Sequence, residues 1–248
     1  MNNSLTANVF LILGAGGGIG TKLAERLHAR GASLMLAGRN QAAVADLANK
    51  VGGKSVVIDA SDPASIKSAV DQTVSEYGRI DGVAHCMGTM LLKPAHLTSD
   101  EEWNETLTTN LTSAFAVVRA VSKAFPAEGG SVVFFSTVAA RIGLPNHEAI
   151  AAAKAGLHGL ALSAAATYAA KKIRFNVVAP GLTRTPMTER ITQNEASLKA
   201  STAMHPLGRI GEADEVAAAA EWFIDPANSW VTGQILGIDG GLGSVRGR

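Results

Sequence analysis

A glycine-rich segment that directly follows an apolar run places the strongest limit on how this chain can fold. The apolar run covers residues 8–13, and Gly14, Gly18 and Gly20 then have the spacing of a phosphate-binding loop. Glycine permits a tight turn and a close backbone approach to an anion, and a following helix presents unpaired N–H groups to it. An amphipathic segment, 19–30, does follow. We therefore predict a nucleotide site; the alternative is an ordinary turn between a strand and a helix.

Short apolar runs alternate with amphipathic segments along the whole chain. Most of these runs are continuously apolar, which is typical of strands that are covered on both faces. Asp62 and Pro63 begin one helix as N-cap and first residue, Gly31 ends another, and a long Ala-rich helix covers 148–170. We predict an α/β fold with one doubly wound parallel sheet of about seven strands and helices on both faces. The predicted strands are 8–13, 33–37, 55–58, 82–85, 131–135, 174–178 and 234–238.

Size and composition fit a single domain that covers residues 1–248. Apolar residues make up 47% of the chain and the net charge is +1, so neither disorder nor a nucleic-acid partner is expected. Only Arg246 and Arg248 form a short basic tail. Cys86 is the one cysteine, so no internal disulfide can form. Because the first residues lack a secretion signal and no run comes close to membrane-spanning length, we expect a cytoplasmic protein with no membrane contact and no metal site.

The end of the second predicted strand bears on the choice of nucleotide. An NAD site places Asp or Glu about 20 residues after the glycine loop, where it accepts from the ribose 2′-hydroxyl. Here the chain reads Gly38-Arg39-Asn40, with no acid. Arg39 can pair with a 2′-phosphate and Asn40 can donate to it. We therefore predict NADP(H) over NAD(H); the alternative is that Arg39 is a solvated surface residue.

These residues and several later ones resemble the short-chain dehydrogenase/reductase family over about residues 9–242. The resemblance implies that Asp59 binds the adenine amino group, that Asn110 lies on the fourth helix, and that the turn at 180–185 holds the nicotinamide carboxamide. The residues at 231–241 match the last strand of the family. A Rossmann fold and an NADP(H)-dependent oxidoreductase follow as expectations. The cofactor-binding residues implied are Gly14, Gly16, Gly17, Gly18, Ile19, Gly20, Arg39, Asn40, Asp59, Ala60, Gly88, Asn110, Lys154, Pro180, Gly181, Thr183 and Thr185.

The chain departs from the family pattern after the fourth predicted strand. The family usually has Asn-Asn-Ala-Gly there, whereas this chain has His85, Cys86 and Met87 before Gly88. Gly88 keeps the turn near the adenine ribose. We interpret His85 as a structural replacement and Cys86 as a small buried apolar residue rather than a nucleophile.

A second departure removes the acid/base of the family. The family signature is Tyr-x-x-x-Lys, with a hydroxyl residue 13 positions before the tyrosine; Lys154 is present here, but Ile150 takes the tyrosine position. Thr137, with Ser136 beside it, supplies the hydroxyl. Isoleucine has no ionisable proton, and losing general acid/base catalysis typically costs about 10²–10⁴-fold in rate. Asn110, Ser136, Thr137, Lys154 and His147 are the candidate catalytic residues.

His147 is the candidate substitute for the tyrosine, because positions i and i+3 of a helix share a face and imidazole titrates near neutral pH. The alternative is that it is a loop or helix-start residue. Lys154 also has a role without the tyrosine, since in the family it binds the nicotinamide ribose. Three interpretations remain open: an atypical oxidoreductase with a relocated acid or an ordered water, an NADP(H) sensor without turnover, and an ordinary enzyme that has lost its tyrosine.

The remaining features concern assembly and substrate. The small residues of the predicted helix at 148–170 allow close helix packing, and the resemblance implies a homodimer or homotetramer formed through this helix. The alternative is a core helix of a monomer. Residues 183–207 correspond to the substrate lid of the family. The expected partner is a small carbonyl or alcohol, whose identity the lid sequence does not specify.

Overall fold

The computed structural model describes residues 4–245, and these form the predicted parallel sheet. Its order is β3-β2-β1-β4-β5-β6-β9, and each neighbouring pair is parallel. The Rossmann-type prediction of one domain with seven parallel strands is therefore confirmed. The predicted basic tail, Arg246 and Arg248, and residues 1–3 lie outside the described residues. The strands are β1 (Val9–Leu13), β2 (Ser33–Gly38), β3 (Lys54–Val57), β4 (Gly82–His85), β5 (Gly130–Phe135), β6 (Ile173–Pro180), β7 (Thr183–Arg184), β8 (Gly211–Glu212) and β9 (Ile235–Ile238).

Helices connect the strands, and local sequence explains their boundaries. Asp62 accepts from the backbone N–H groups of Ala64 and Ser65 at the start of α3, as its N-cap position predicts. Gly31, just after α1, has φ +85°, the left-handed conformation that ends helices. The helices are α1 (Gly18–Ala29), α2 (Gln41–Lys50), α3 (Pro63–Tyr77), α4 (Asp100–Leu107), α5 (Ser113–Val121), α6 (Glu148–Tyr168), α7 (Glu189–Thr192), α8 (Glu195–Met204) and α9 (Ala213–Ile224).

Two apolar cores lie on opposite faces of the sheet. Successive side chains of a strand point to opposite faces, so Phe10 and Ile12 enter one core while Leu11 and Leu13 enter the other. The first core is covered by α1, α2 and α9, and the second by α3, α5 and α6. All four side chains are fully buried, and burying each contributes about 1.5–3 kcal/mol. This two-sided burial explains why the strands are continuously apolar.

The long helix α6 corrects one expectation. Within Glu148–Lys171 an 18-residue window has a mean hydropathy of 1.3 and is long enough to cross a membrane, so the expectation that no run comes close to that length was wrong. The structure also shows what this composition does here. Ala153, Leu157 and Ala161 lie in the core against β6, because a helix that packs on a sheet needs an apolar face. Length and composition alone are weak grounds for a membrane span.

The carboxyl ends of the strands bring the predicted site residues to one edge of the sheet. Gly14 follows β1, Arg39 follows β2, Ser136 follows β5 and Gly181 follows β6. Residues 183–207, the predicted lid, form β7, α7 and α8, and β7 pairs with β8. Ligands of open α/β sheets bind in the crevice at this edge, so the fold places the candidate site there.

Candidate cofactor and substrate site

The glycine loop forms a cradle in which Gly14, Gly18 and Gly20 leave little or no room for a side chain. Gly14 has φ +81°, and a Cβ on it would lie 2.8 Å from the backbone carbonyl of Cys86. A Cβ on Gly20 would lie 2.5 Å from the carbonyl oxygen of Gly14, and one on Gly18 would lie 3.0 Å from Thr185. No side chain caps the start of α1, and its first turn has no acid. The shape and the positive end of the helix dipole therefore fit a pyrophosphate.

Polar side chains at the end of β2 extend this cradle. Arg39 and Asn40 are exposed. The Asn40 side-chain oxygen caps α2 by accepting from the Ala43 N–H, and the Asn40 NH₂ group takes no part in that bond. Asp59 accepts from the backbone and hydroxyl of Ser61 at 2.8 and 2.7 Å. These bonds, with a smaller contribution from the Arg39 charge, lower the pKa of Asp59. The site thus presents one cation and one ionised acid at the positions predicted for the 2′-phosphate and adenine.

The residues predicted to surround the ribose meet behind β4. A Cβ on Gly88 would lie 2.8 Å from Asn110 Oδ1 and 3.2 Å from Lys154 Nζ, so glycine lets both side chains approach. Asn110 lies in a π-helical turn, Thr108–Thr112, between α4 and α5. Its amide donates to the Thr106 carbonyl and to Thr89. Single π turns of this kind often occur at functional sites.

Lys154 is buried beside this turn. Its Nζ donates to the carbonyl oxygen of Phe135 at 2.8 Å, and only 8% of the residue is exposed. Desolvation by burial lowers the pKa of Lys154 to about 8. The ammonium is therefore held at the end of β5, where it can donate to a further oxygen in the cavity.

A cavity of about 270 Å³ opens between Lys154 and the lid. Thr137, His147, Ile150 and Lys154 all line it, so the structure brings these predicted catalytic positions together. Four of the chain's six methionines also line it, and methionine adapts to ligands of varied shape. The methionines are Met87, Met90, Met187 and Met204. The cavity therefore suits an apolar, uncharged molecule.

The two neighbouring hydroxyl residues are held differently. Ser136 Oγ donates to the Lys154 carbonyl at 3.0 Å and lies 2.8 Å from His158 Nε2. Thr137 Oγ1 has only a 3.3 Å contact with the Ala139 N–H and lines the cavity. Ser136 therefore ties β5 to α6, whereas Thr137 is the hydroxyl available to a ligand. Sequence reasoning missed His158, although its position four residues after Lys154 on one helix face was a usable signal.

His147 lies directly before α6 and faces the same cavity. Its Nδ1 is 2.7 Å from the Pro145 carbonyl oxygen, which can only accept, so Nδ1 donates this bond and Nε2 takes no part in it. Asn146, with φ +63°, forms the turn before it, and the Asn146 carbonyl accepts from the Lys93 N–H. The turn therefore orients the ring through Nδ1 and leaves Nε2 to exchange a proton with a ligand in the cavity.

The chain's two tyrosines have other roles. The Tyr77 hydroxyl donates to the Leu34 carbonyl at 2.9 Å. The Tyr168 ring packs on Phe175 at 5.9 Å between centroids, on the core side of α6. Neither tyrosine lines the cavity. The position that matches the family's tyrosine is occupied there by the buried side chain of Ile150.

His85 is structural, as predicted, whereas Cys86, which was predicted to be buried, is only partly buried and lines the cavity. His85 is fully buried, and its Nε2 lies 2.7 Å from the hydroxyl of Ser113. Burial and the nearby Lys154 charge lower the pKa of His85 to about 3, so it stays neutral. Burial raises the pKa of the Cys86 thiol to about 12, which excludes a reactive thiolate at neutral pH. Among residues 4–245, no group of three acidic, His or Cys side chains is arranged to hold a metal.

The turn after β6 lies between the cradle and the lid. Thr188 donates to the Thr183 carbonyl at 2.6 Å, and the Gly181 N–H donates to the Ile238 carbonyl at 3.1 Å. Thr183 and Thr185, the residues predicted to hold the carboxamide, line the cavity. His205, at the end of α8, also contacts this turn, and sequence reasoning did not single it out.

Comparisons with known proteins agree with this geometry. A family model described as enoyl-(acyl carrier protein) reductase matches residues 14–243. The chain is 32% identical over 242 residues to 3-oxoacyl-(acyl-carrier-protein) reductase of Salmonella typhimurium, covering 96% of this chain and 98% of that protein. A short-chain type dehydrogenase/reductase structure from Mycobacterium ulcerans matches with a TM-score of 0.93 and 30% identity, over 98% of this chain and 92% of that one.

A second solved structure, actinorhodin polyketide ketoreductase with NADPH, matches over 98% of this chain and 100% of that one, with a TM-score of 0.91 and 26% identity. The sequence matches cover the glycine cradle, the cavity and the last strand together. The chain therefore belongs to the short-chain dehydrogenase/reductase family, an oxidoreductase family that uses nicotinamide cofactors.

Proposed function

We propose that the protein is an NADP(H)-dependent oxidoreductase that interconverts a carbonyl and an alcohol on a small uncharged molecule, with Ile150 in place of the acid/base tyrosine. The observation that carries this proposal is one shared cavity at the carboxyl edge of the sheet. There the turn at 180–185 adjoins the glycine cradle, and Thr137, Lys154 and His147 face the same space.

The chain's own residues account for cofactor binding. The start of α1 and the glycine loop bind the pyrophosphate, Arg39 pairs with the 2′-phosphate, and Asp59 accepts from the adenine amino group. Lys154 donates to the ribose hydroxyls, and Thr183 or Thr185 holds the carboxamide. When bound, the nicotinamide supplies the hydride chemistry. The NADPH-containing ketoreductase structure supports the choice of NADP(H).

Proton transfer needs a residue other than Ile150. We assign it to His147, whose Nε2 takes no part in the bond from Nδ1 to Pro145: Nε2 accepts the alcohol proton in oxidation, and in reduction the protonated ring returns a proton from Nε2 to the carbonyl oxygen. Thr137 donates to the carbonyl oxygen and polarises it. Below its pKa of about 8, the Lys154 ammonium adds positive charge near that oxygen.

One observation favours a second candidate function, an NADP(H) sensor with little turnover. Ile150 is 5% exposed and apolar at the position where the family mechanism needs a proton donor. The glycine cradle does not depend on the side chain at position 150. The protein would therefore still bind NADP(H) tightly while its turnover rate is low.

Exchanging the charge at Arg39 tests the cofactor assignment. In Arg39→Glu, a carboxylate repels the 2′-phosphate and can accept from a 2′-hydroxyl, so NADP⁺ affinity falls about 10-fold or more while NAD⁺ affinity holds or rises. Calorimetric titration of both nucleotides measures the ratio. Lys50→Glu, the same charge reversal at an exposed residue at the end of α2, is the control. An unchanged preference in Arg39→Glu would show that Arg39 is only a surface residue.

Turnover distinguishes the enzyme from the sensor. We expect NADPH oxidation with uncharged apolar ketones, and a loss of about 10²-fold or more in kcat in His147→Ala, since a general acid/base is removed. His96→Ala removes an exposed histidine outside the cavity and serves as the control. Tight NADPH binding without turnover on any ketone would favour the sensor instead.

We also propose that the protein is cytoplasmic and forms a homodimer or homotetramer through α6. Leu162 on α6 is 50% exposed and Phe115 on α5 is 48% exposed, although both are apolar. Nothing lies within 4 Å of a Cβ on Gly159, so a second helix could approach closely there. Light scattering of Leu162→Glu against the unchanged protein tests this: the proposal expects dissociation, and an unchanged mass would contradict it.

A further inference from the structure

His205 is buried where the lid helix α8 ends, and both of its ring nitrogens have a backbone partner. Nδ1 lies 2.7 Å from the Ser201 carbonyl oxygen, within the lid. Nε2 lies 3.2 Å from the backbone N of Leu182, in the turn after β6. The residue is only 3% exposed. The imidazole therefore bridges the lid to the turn that the proposed function assigns to the nicotinamide.

The partners define the protonation state of the ring. The Ser201 carbonyl oxygen can only accept, so Nδ1 carries a hydrogen; the Leu182 amide can only donate, so Nε2 must have a free lone pair. Only the neutral imidazole with its hydrogen on Nδ1 satisfies both bonds. A second proton would place two N–H groups against each other at Leu182 and leave a charge in a buried position.

The ring also fits closely against the turn. A Cβ on Gly181 would lie 2.6 Å from His205 Nε2, so the glycine provides the space that the imidazole occupies. A second lid residue, Thr188, binds the Thr183 carbonyl one residue further along. The lid therefore holds the turn at two consecutive residues, one through His205 and one through Thr188.

We propose that His205 is a positioning residue: its neutral imidazole couples the end of α8 to Leu182 and so holds the turn at 181–183 in its cofactor-binding conformation. The proposal rests on the proposed cofactor site. It assigns no contact between His205 and the reacting atoms. Its consequence is that protonation of this ring releases the turn from the lid and weakens cofactor binding.

The charged groups around His205 are few and already paired or remote from the ring nitrogens. Arg209, in the segment after the lid, pairs with Glu215 of α9 at 2.6 Å, and both line the cavity on one side of the ring. Asp239, after β9, accepts from the N–H groups of Gly241 and Gly243. On the other side the ring lines the main cavity, whose other titratable lining residues are Cys86, His147 and Lys154. Both hydrogen bonds of the His205 ring are to backbone atoms. Whether they form therefore depends on which ring nitrogens carry a hydrogen.

The test measures NADP⁺ affinity of the full chain at pH 7.5 and pH 5.5 by calorimetry. We expect His205→Leu, which removes both bonds, to weaken binding about 10-fold at pH 7.5. His205→Gln keeps an acceptor and a donor but cannot be protonated, so it should recover most of that loss. The unchanged protein should lose more affinity between pH 7.5 and pH 5.5 than His205→Gln loses, because only the imidazole can take up a proton that displaces the Leu182 N–H from Nε2.

Two controls isolate His205. Titration of the 2′-phosphate is common to all variants and cancels in the comparison. His28→Gln removes an exposed histidine of α1 and should keep the pH dependence of the unchanged protein. Equal pH dependence of the unchanged protein and His205→Gln, or full affinity in His205→Leu, would overturn the proposal.

A cofactor-free measurement separates this proposal from the proposed function. Side-chain ¹⁵N NMR of the free protein at pH 7.5 should show His205 with its hydrogen on Nδ1, and the Leu182 amide should exchange faster with solvent in His205→Leu. A hydrogen on Nε2 would contradict the coupling even if NADP⁺ binds. The expected NMR result with no nucleotide binding would instead contradict the proposed function.

Discussion

The two halves of the carboxyl edge of the sheet are built in different ways. The glycine-loop half uses backbone: Gly14 and Gly20 approach other backbone atoms so closely that no side chain fits. The catalytic half, between β5 and the lid, uses side chains such as Thr137, Ile150 and Lys154, which come from separate elements. The first half follows the family pattern closely, and the second departs from it at the position that matters most for proton transfer.

This difference shows why binding and turnover can be separated in such a fold. A backbone cradle depends on many small steric constraints, so it persists as long as the loop keeps its glycines. A proton donor is one side chain, and its exchange for Ile150 leaves the fold intact because isoleucine packs well in a largely apolar cavity. Changes in the half between β5 and the lid should therefore alter the turnover rate. Changes in the glycine-loop half should alter stability and cofactor affinity.

The largest expected effect lies in the catalytic half. Ile150→Tyr places a phenol four residues before Lys154, in a cavity of about 270 Å³ that has room for it. The Lys154 charge would lower the pKa of that phenol toward the working pH. We expect kcat/KM for ketone reduction to rise about 10²–10⁴-fold, as measured by NADPH oxidation.

Ile150→Phe is the matched control, because it adds the ring without the hydroxyl. A similar rate in the Tyr and Phe variants would mean that position 150 is not where a proton is needed. The proposed role of His147 as proton donor would then become the better account of any turnover.

The next largest effect lies in the glycine-loop half. A Cβ at position 20 would lie 2.5 Å from the Gly14 carbonyl oxygen, so Gly20→Ala forces backbone to move and should lower the free energy of unfolding by about 3 kcal/mol. In Gly16→Ala the new Cβ would lie 3.6 Å from Ala43, an ordinary contact, so little change is expected. Denaturant unfolding without cofactor measures both. Equal stability of the two variants would contradict a steric requirement for the cradle.

The smallest of the three effects lies at the junction of the two halves, where His85 of β4 pairs with β1 and β5. Its pKa is about 3 in the folded protein, mainly through burial, and about 6.5 in an unfolded chain. The unfolded state therefore binds the additional proton between these values, and stability falls as the pH drops through that window. At pH 5, this group should lower the free energy of unfolding by about 2 kcal/mol relative to pH 7.

His85→Asn removes this titration, so its stability should depend less on pH than that of the unchanged protein, whatever the two absolute values are. His28→Asn, at an exposed position, should behave like the unchanged protein. Denaturant unfolding at pH 5 and pH 7 measures the differences. Parallel pH dependence in His85→Asn and the unchanged protein would show that His85 is protonated in the folded state.

Sequence reasoning found the parts of the site that depend on local pattern. The strands, the Asp62 cap and the end of α1 at Gly31 follow from nearby residues, and the structure confirms them. The contacts of His158 with Ser136 and of His205 with Leu182 were missed because each joins residues more than 20 positions apart. The apolar stretch of α6 was misjudged because composition does not show which face a sheet will cover.

By itself, the sequence determined the alternation of strands and helices, the glycine loop and the presence of isoleucine four residues before Lys154, because period, turn chemistry and motif spacing are local properties of a chain. The tertiary structure decided that Ser136 bonds to the Lys154 carbonyl, that His147 donates from Nδ1 to Pro145, and that His205 joins the lid to the turn. The physical reason is that a hydrogen bond or a buried charge depends on partners that only the packed sheet and its helices bring together.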